Sequence, residues 1–344
     1  MNSPWWNPDR HGERRPRLLL RNRMLSEMRL WFAARDFLEV DPSALQISPG
    51  NEAHLHAFAT HAVAPDLTRQ NLYLHTSPEL AMKKLLAAGE RRLYALAHVF
   101  RNRERGALHH PEFTMLEWYR TEETYDSVVA DTVALVRLAA TLSGRDRFSF
   151  RGRVADPRAE PERLSVHDAF RRHAGIELLA TVDAAGETDR AALAEACRGA
   201  GIRVAADDTW SDLFSRALVE RVEPRLGIDR PTILDRYPVP EAALARPAAD
   251  DPRVAERFEL YLCGVELANG FGELTDADEQ RRRFEAEMVE KARVYGERYP
   301  IDEEFLAALA LMPPASGVAL GFDRLAMLAS GAERVDDVIW TPVA

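Results

Sequence analysis

Apolar positions along the chain alternate between two periods. Met24, Leu25, Met28, Trp31 and Phe32 recur every three or four residues and predict a helix, and Phe37-Leu38-Glu39-Val40-Asp41-Pro42 behind it predicts a short strand closed by proline. Leu72-Tyr73-Leu74-His75 predicts another strand. Thr76-Ser77-Pro78-Glu79 follows, with Ser77 suited to cap a helix and Pro78 to its first position, so a helix is expected from Pro78 to about Ala88. Tyr94 to Phe100 and Glu112 to Tyr119 are β-rich and flank a polar stretch, Arg101 to Pro111, which predicts strand, long loop, strand. Thr124 to Leu142 reads as helical, and the Ala-rich stretch from Ser165 to about Arg225 as further helices broken at Gly and Asp. Phe258 to Phe271 predicts a hairpin, Asp276 to about Glu297 a long charged helix, and Val318 to Ala329 a strand turning into a helix at Gly321. Hairpin-joined strands in this order predict an α+β fold, an antiparallel β-sheet flanked by helices, rather than a doubly wound parallel sheet.

Length and charge narrow the picture. A chain of 344 residues, 46% of them apolar, buries a large core, and at about 100–200 residues per domain it fits one large domain or two smaller ones. No stretch reaches the ~18–20 apolar residues of a membrane-spanning helix, and the Arg-rich, Pro-interrupted start lacks an apolar signal core, so the expectation is a cytoplasmic protein with no membrane partner. Cys197 and Cys263 form no CxxC pair, and neither a disulfide framework nor a cysteine zinc site is expected. The net charge of −10 argues against a broad basic surface for nucleic acid, though a local basic patch is compatible with it. Neither GxGxxG nor GxxxxGK[ST] occurs, so the common Gly-rich phosphate loops are absent.

The candidate chemistry lies on the strands. A two-residue Cys263-Gly264 turn sets Tyr261 opposite Glu266 and Glu259 opposite Ala268, which makes Glu259 and Glu266 diagonal neighbours on one face. Carboxylates that close repel unless a cation lies between them, and Mg²⁺ suits such a pair; a solvated hairpin face would carry the same residues without a role. Glu273, past the Asn269-Gly270 turn, adds a third carboxylate. Glu117 and Tyr119 are two apart and share a face, a carboxylate beside a phenol that fits an ammonium ion. Arg101 at a strand end and Arg324 after Gly321 are permanent cations whose forks grip phosphate, though isolated arginines are ordinarily surface residues.

Taken together these segments resemble the three motifs of the class II aminoacyl-tRNA synthetases, in particular their lysyl branch. Phe37 to Pro42 is similar to motif 1, Phe100-Arg101-Asn102 through Glu112 to Tyr119 to motif 2, and Gly317 to Leu325 to motif 3. Thr76-Ser77-Pro78-Glu79 and Glu266-Leu267-Ala268-Asn269-Gly270-Phe271-Gly272-Glu273-Leu274 resemble lysyl-branch signatures. The similarity runs from about residue 15 to the end. Only some twenty residues precede the first expected catalytic helix, where a lysyl-tRNA synthetase carries an anticodon-binding barrel. That shape resembles the family of elongation factor P–(R)-β-lysine ligases, which activate β-lysine with ATP and transfer it to a lysine of elongation factor P.

The resemblance implies a single class II catalytic domain over residues 1–344, with residues 145–230 as a helical insertion between motifs 2 and 3, and a homodimer built on motif 1. It implies ATP as substrate and Mg²⁺ as cofactor, elongation factor P as acceptor, and no tRNA. Arg101 would meet the α-phosphate and Arg324 the far phosphates, with Asn102, Arg103, Glu104 and His110 of the motif 2 loop near adenine, and Glu266, Leu267 and Gly321 also against the nucleotide. Glu259 and Glu266 would hold the metal. Ser77, Pro78 and Glu79 would receive the substrate's amino group, and Glu273, Tyr119 and Glu117 its distal ammonium. Two positions depart from the pattern: Arg103 stands where the lysyl branch has glutamate, with Glu104 one place later, and His110 stands where it has asparagine. A lysyl-tRNA synthetase paralogue charging RNA, or a non-catalytic amino-acid sensor, would share these motifs.

Overall fold

The structure, a computed structural model, describes residues 4–343. Along the chain run α1 (Pro8–Ala33), β1 (Leu38–Glu39), β2 (Leu45–Gln46), β3 (Phe58–Val63), β4 (Arg69–Leu74), α2 (Glu79–Ala87), β5 (Arg92–Phe100), β6 (Glu112–Thr121) and α3 (Tyr125–Ser143). Then come β7 (Phe148–Phe150), β8 (Arg153–Ala155), β9 (Glu162–Ser165), α4 (Val166–Ala174), α5 (Arg190–Gly199), α6 (Trp210–Ala217) and β10 (Thr232–Pro238). The hairpin β11 (Val254–Leu262) and β12 (Val265–Gly272) follows, then α7 (Ala277–Tyr295), α8 (Glu303–Leu309), β13 (Ala315–Gly321) and α9 (Phe322–Ser330). Tertiary contacts divide the chain into two compact units. One comprises the chain up to Glu123 with Leu138–Gly144 and everything from Thr275 onward; the other comprises Thr124–Arg137 and Arg145–Leu274.

In the first unit the strands lie in the order β1-β5-β6-β13, with β5, β6 and β13 antiparallel and the two-residue β1 parallel to β5 at the edge. Phe32 of α1 stacks on Tyr94 of β5 at 4.3 Å between ring centroids and meets Phe37 and Trp118 edge-on or tilted, which seats the helix on the sheet. Each such fully buried aromatic contributes about 1.5–3 kcal/mol. A smaller sheet, β2-β4-β3, lies apart. In the second unit the order is β12-β11-β10-β9, antiparallel except for the parallel β9–β10 pair. Phe170, Trp210 and Phe214 form a stacked aromatic column here, with centroids 5.1 and 5.5 Å apart, inside a core that also takes in Leu164, Leu234 and Tyr261. The Ala-rich stretch thus packs onto β9, β10 and β11.

The antiparallel expectation therefore holds for the inner strands, and the parallel pairs lie at β1 and β9. Three local differences matter. Helix α1 begins at Pro8, well before Met24, because Asn7 Oδ1 accepts from the Asp9 and Arg10 amides and because the upstream arginines Arg14 and Arg21 are themselves buried. Helix α2 starts at Glu79 with Pro78 in the cap position, and Ser77 Oγ accepts from the Glu79 amide at 3.1 Å. A β-bulge in the β11–β12 hairpin pairs Glu259 with Asn269 rather than with Ala268, while Tyr261 does oppose Glu266; Leu267 is the extra residue with no partner on β11. Among the described residues no helix is long and apolar enough to cross a membrane.

Candidate active site

Alternation along β6 puts Glu117 and Tyr119 on one sheet face, and the start of α2 brings Ser77 to them. Glu117 is 1% exposed and accepts the Tyr119 hydroxyl at 2.6 Å on one oxygen and the Ser77 hydroxyl at 2.7 Å on the other. Glu79 lies beside them and binds Lys83, one helical turn on and itself buried, at 2.6 Å. Burial, then the Glu79 charge, pushes the Glu117 carboxyl up to about 8, against the pull of the two hydroxyls and Lys83. A carboxyl held largely protonated at neutral pH is driven toward its ionised form by a cation placed beside it.

The two expected phosphate arginines flank a residue that patterning did not single out. Arg324, in the first turn of α9, donates through Nε to the Leu108 carbonyl at 3.1 Å and through Nη2 to His109 Nε2 at 2.9 Å. Partial burial, then the Arg324 charge, with Arg101 adding and Glu104 opposing, holds His109 below the usual imidazole range, so it stays a neutral acceptor. Arg101, just past β5, donates to the Thr76 carbonyl at 3.3 Å and lies 5.4 Å from the Phe113 ring centroid. Asp323 anchors the turn that carries Arg324: its carboxylate accepts the Thr114 amide at 2.7 Å and Arg21 Nε at 2.9 Å, tying β6 and α1 to α9.

Other loop residues have distinct local partners. Asn102 Oδ1 accepts the Arg103 amide at 2.9 Å, and the Arg103 guanidinium pairs with Glu297. Glu104 is half-buried near His109. His110 is 2% exposed, with the Val343 amide donating to Nε2 at 3.1 Å and Nδ1 against the Glu112 carbonyl; its ring ties down the C-terminal segment. Gly321 has ordinary φ, and an added Cβ would meet nothing closer than the Arg324 side chain at 3.5 Å, so the fold itself does not demand glycine there.

In the second unit, Glu259 is buried and accepts Tyr261 Oη at 2.6 Å and Arg257 Nη2 at 2.8 Å. Burial first, then Glu259, with Glu266 contributing to each, pushes the Tyr237 and Tyr261 phenols well above their usual range. The Arg257 guanidinium lies over the Tyr237 ring at 4.3 Å. Leu267 is buried at the bulge, and Glu273, 1% exposed, continues β12 with a backbone bridge to Ala245. Lys83, Arg257 and His109 are the residues that patterning passed over; an i,i+4 Glu-Lys pair and an Arg two before a strand glutamate were their only local signals.

A family model described as tRNA synthetases class II (D, K and N) matches residues 5–344. The chain is 41% identical over 330 residues to an elongation factor P–(R)-β-lysine ligase of Proteus mirabilis (strain HI4320), covering 95% of this chain and 94% of the relative. It is 40% identical to a protein of the same name from Erwinia tasmaniensis, covering 94% and 93%, and 41% identical to one from Salmonella arizonae, covering 94% of each.

Proposed function

The chain belongs to the class II tRNA synthetases of the D, K and N type, and from that premise we propose that it activates (R)-β-lysine or lysine with ATP and transfers the acyl group to a lysine side chain of elongation factor P. One observation carries the reading: a buried carboxyl, Glu117, held by Ser77 and Tyr119 and raised to about 8, in the same unit as Arg101 and Arg324. Such a group selects for a positive charge.

Catalysis on this reading is positioning plus electrostatics. A substrate carboxylate oxygen forms a bond to the α-phosphorus as the bond to the bridging oxygen breaks, and pyrophosphate leaves with that electron pair. Arg101 stabilises the charge developing at the α-phosphate and Arg324 receives the pyrophosphate, with neutral His109 accepting a hydrogen bond from the guanidinium. The acceptor amine then attacks the acyl carbon, AMP leaves, and the amine's proton passes to solvent. Glu79 with Ser77 and Pro78 holds the nearer amino group, and Tyr119 and Glu117 of the same unit hold the distal ammonium. Asn102, Glu104 and Gly321 line the nucleotide.

Glu259 and Glu266 would hold Mg²⁺, offering hard carboxylate oxygen donors from the two strands of one hairpin. Bound there, the ion supplies Lewis-acid stabilisation of phosphate charge. We further infer a homodimer, supported by the exposed Leu30, Leu38 and Leu45 around α1, β1 and β2, a cytoplasmic location beside its substrates, a protein rather than tRNA acceptor for a chain of charge −10, and a catalytic module with residues 145–230 as its insertion. The test is ATP–pyrophosphate exchange with (R)-β-lysine and with α-lysine, followed by mass spectrometry of elongation factor P. Exchange should fall about 10²–10³-fold in Arg324→Ala. No exchange with either amino acid, or full activity in that variant, defeats the reading.

A further inference from the structure

At Arg103 the chain adopts φ +65°, a left-handed conformation uncommon outside glycine, and its guanidinium reaches away from the loop to Glu297, just past the end of α7. The same guanidinium lies 5.7 Å from the Tyr295 ring centroid. Glu297 uses its other oxygen on His56 Nδ1 at 3.0 Å, and the His56 ring meets Tyr295 edge-on at 4.6 Å. His56 in turn accepts the Asn102 amide on its carbonyl at 2.6 Å, a backbone bridge to the segment that starts with Arg101. Glu297 therefore ties Arg103 to His56, whose own backbone is bonded to Asn102.

That support is itself held by several contacts. Lys291 of α7 is fully buried and donates to the Ala53 and Leu55 carbonyls at 2.9 and 2.6 Å, with its ammonium 4.6 Å from the Tyr299 ring. Glu287 accepts the Ala53 amide at 2.8 Å, and Tyr299 Oη accepts the Ala57 amide at 2.9 Å. Residues 53–57 are thus clamped along α7 and its extension, and they present His56 to the loop. Burial alone would raise the Glu297 carboxyl; the His56 hydrogen bond, Arg103 and Lys291 outweigh it, so Glu297 stays ionised and able to pair.

We propose that Arg103 is a positioning residue: its ion pair with Glu297, shared with His56, latches the Arg101–Asn102 segment onto α7 in the geometry that receives ATP. The Arg103 side chain is directed to protein rather than to the nucleotide, which gives a role to the arginine standing where the lysyl branch has glutamate. This rests on the reading of Arg101 and Asn102 as nucleotide ligands. Because Arg103 is half exposed, the latch is screened, and its loss should be felt as a moderate change rather than abolition of activity.

The test compares Arg103→Ala, Glu297→Gln, their double variant and Arg103→Lys in two measurements. In ATP–pyrophosphate exchange each single change should raise KM for ATP by about three- to tenfold with kcat nearly unchanged, the double should be no worse than either, and Arg103→Lys should recover most of the loss. In the free protein, hydrogen exchange over residues 101–106 should quicken several-fold in both single variants and no further in the double. Loss confined to Arg103→Ala with Glu297→Gln silent, or additive losses in the double, overturns the latch. Absence of pyrophosphate exchange in the unmodified protein would defeat the ATP reading, and the hydrogen-exchange comparison, which needs no activity, would still decide the latch.

Discussion

Two buried glutamates on two strands, Glu117 of β6 and Glu259 of β11, share a local design: each accepts the hydroxyl of the tyrosine two residues on, at 2.6 Å, from the same strand face. They differ in what else reaches them. Glu259 also receives Arg257 at 2.8 Å, a permanent cation from its own strand, whereas Glu117 receives the Ser77 hydroxyl and has the Glu79 charge nearby. Burial beside a like charge outweighs the two hydroxyls at Glu117 and pushes its carboxyl up to about 8. Glu117 is thus held by two hydroxyls beside a like charge, and Glu259 by a phenol and a guanidinium.

Converting one environment into the other should have the largest effect. Arg257→Met leaves Glu259 buried without its cation and should destabilise the second unit by about 3–5 kcal/mol, read from urea unfolding. A loss below about 1 kcal/mol would mean that solvent or Tyr261 alone suffices, and the contrast would collapse. At Glu117 the corresponding test is selectivity. Glu117→Gln removes the charge that an ammonium meets, so kcat/KM for lysine should fall about 10²-fold while that for norleucine, which brings no ammonium, should barely change. Equal discrimination in wild type and variant would assign the ammonium to other groups.

The raised Glu117 carboxyl also makes a signed prediction about pH. A carboxyl normally near 4.5 and at about 8 in the folded protein means that, between those values, the native state binds the proton and the unfolded chain does not. Stability from this group is fully present below about 4.5 and is lost as pH rises to about 8, at up to about 1.4 kcal/mol per pH unit. Glu117→Gln, neutral throughout, should flatten that part of the stability profile. A profile identical to wild type between pH 5.5 and 7.5 would show that Glu117 is ionised in the free protein.

How much of this could be read from residues alone follows from range. The alternation that joins Glu117 to Tyr119, and the turn that sets Tyr261 against Glu266, are local and were legible. The register at Glu259 was not, because a bulge at Leu267 shifts the pairing by one residue and nothing in the composition marks it. The first half of α1 was also hidden, since Arg14 and Arg21 count as polar in any periodicity yet are 1% and 8% exposed, Arg21 held by Asp323 and Thr114 from far along the chain. His109 and Lys83 escaped for the same reason: a polar residue's partner is set by tertiary packing. The motif resemblance located Arg101 and Arg324, but only coordinates show His109 against Arg324.

The smallest expected effect is the sharpest comparison. Tyr119→Phe and Tyr261→Phe each remove one hydroxyl from one buried glutamate, with the ring left in place, so packing changes little in either. A hydrogen bond to a charged group contributes about 1.5–3 kcal/mol, and one between neutral groups about 0.5–1.5 kcal/mol. At pH 6, where the raised Glu117 carboxyl is protonated and Glu259 pairs with Arg257, Tyr261→Phe should therefore cost the protein about 1 kcal/mol more than Tyr119→Phe. Raising the pH past 8 ionises Glu117, and the Tyr119→Phe penalty should grow toward that of Tyr261→Phe, which itself should stay constant. Urea midpoints for both variants at pH 6 and pH 9 measure all four values. Penalties that are equal at pH 6, or a Tyr119→Phe penalty that shrinks at pH 9, would show that the two glutamates carry the same charge and that Arg257 does not distinguish them.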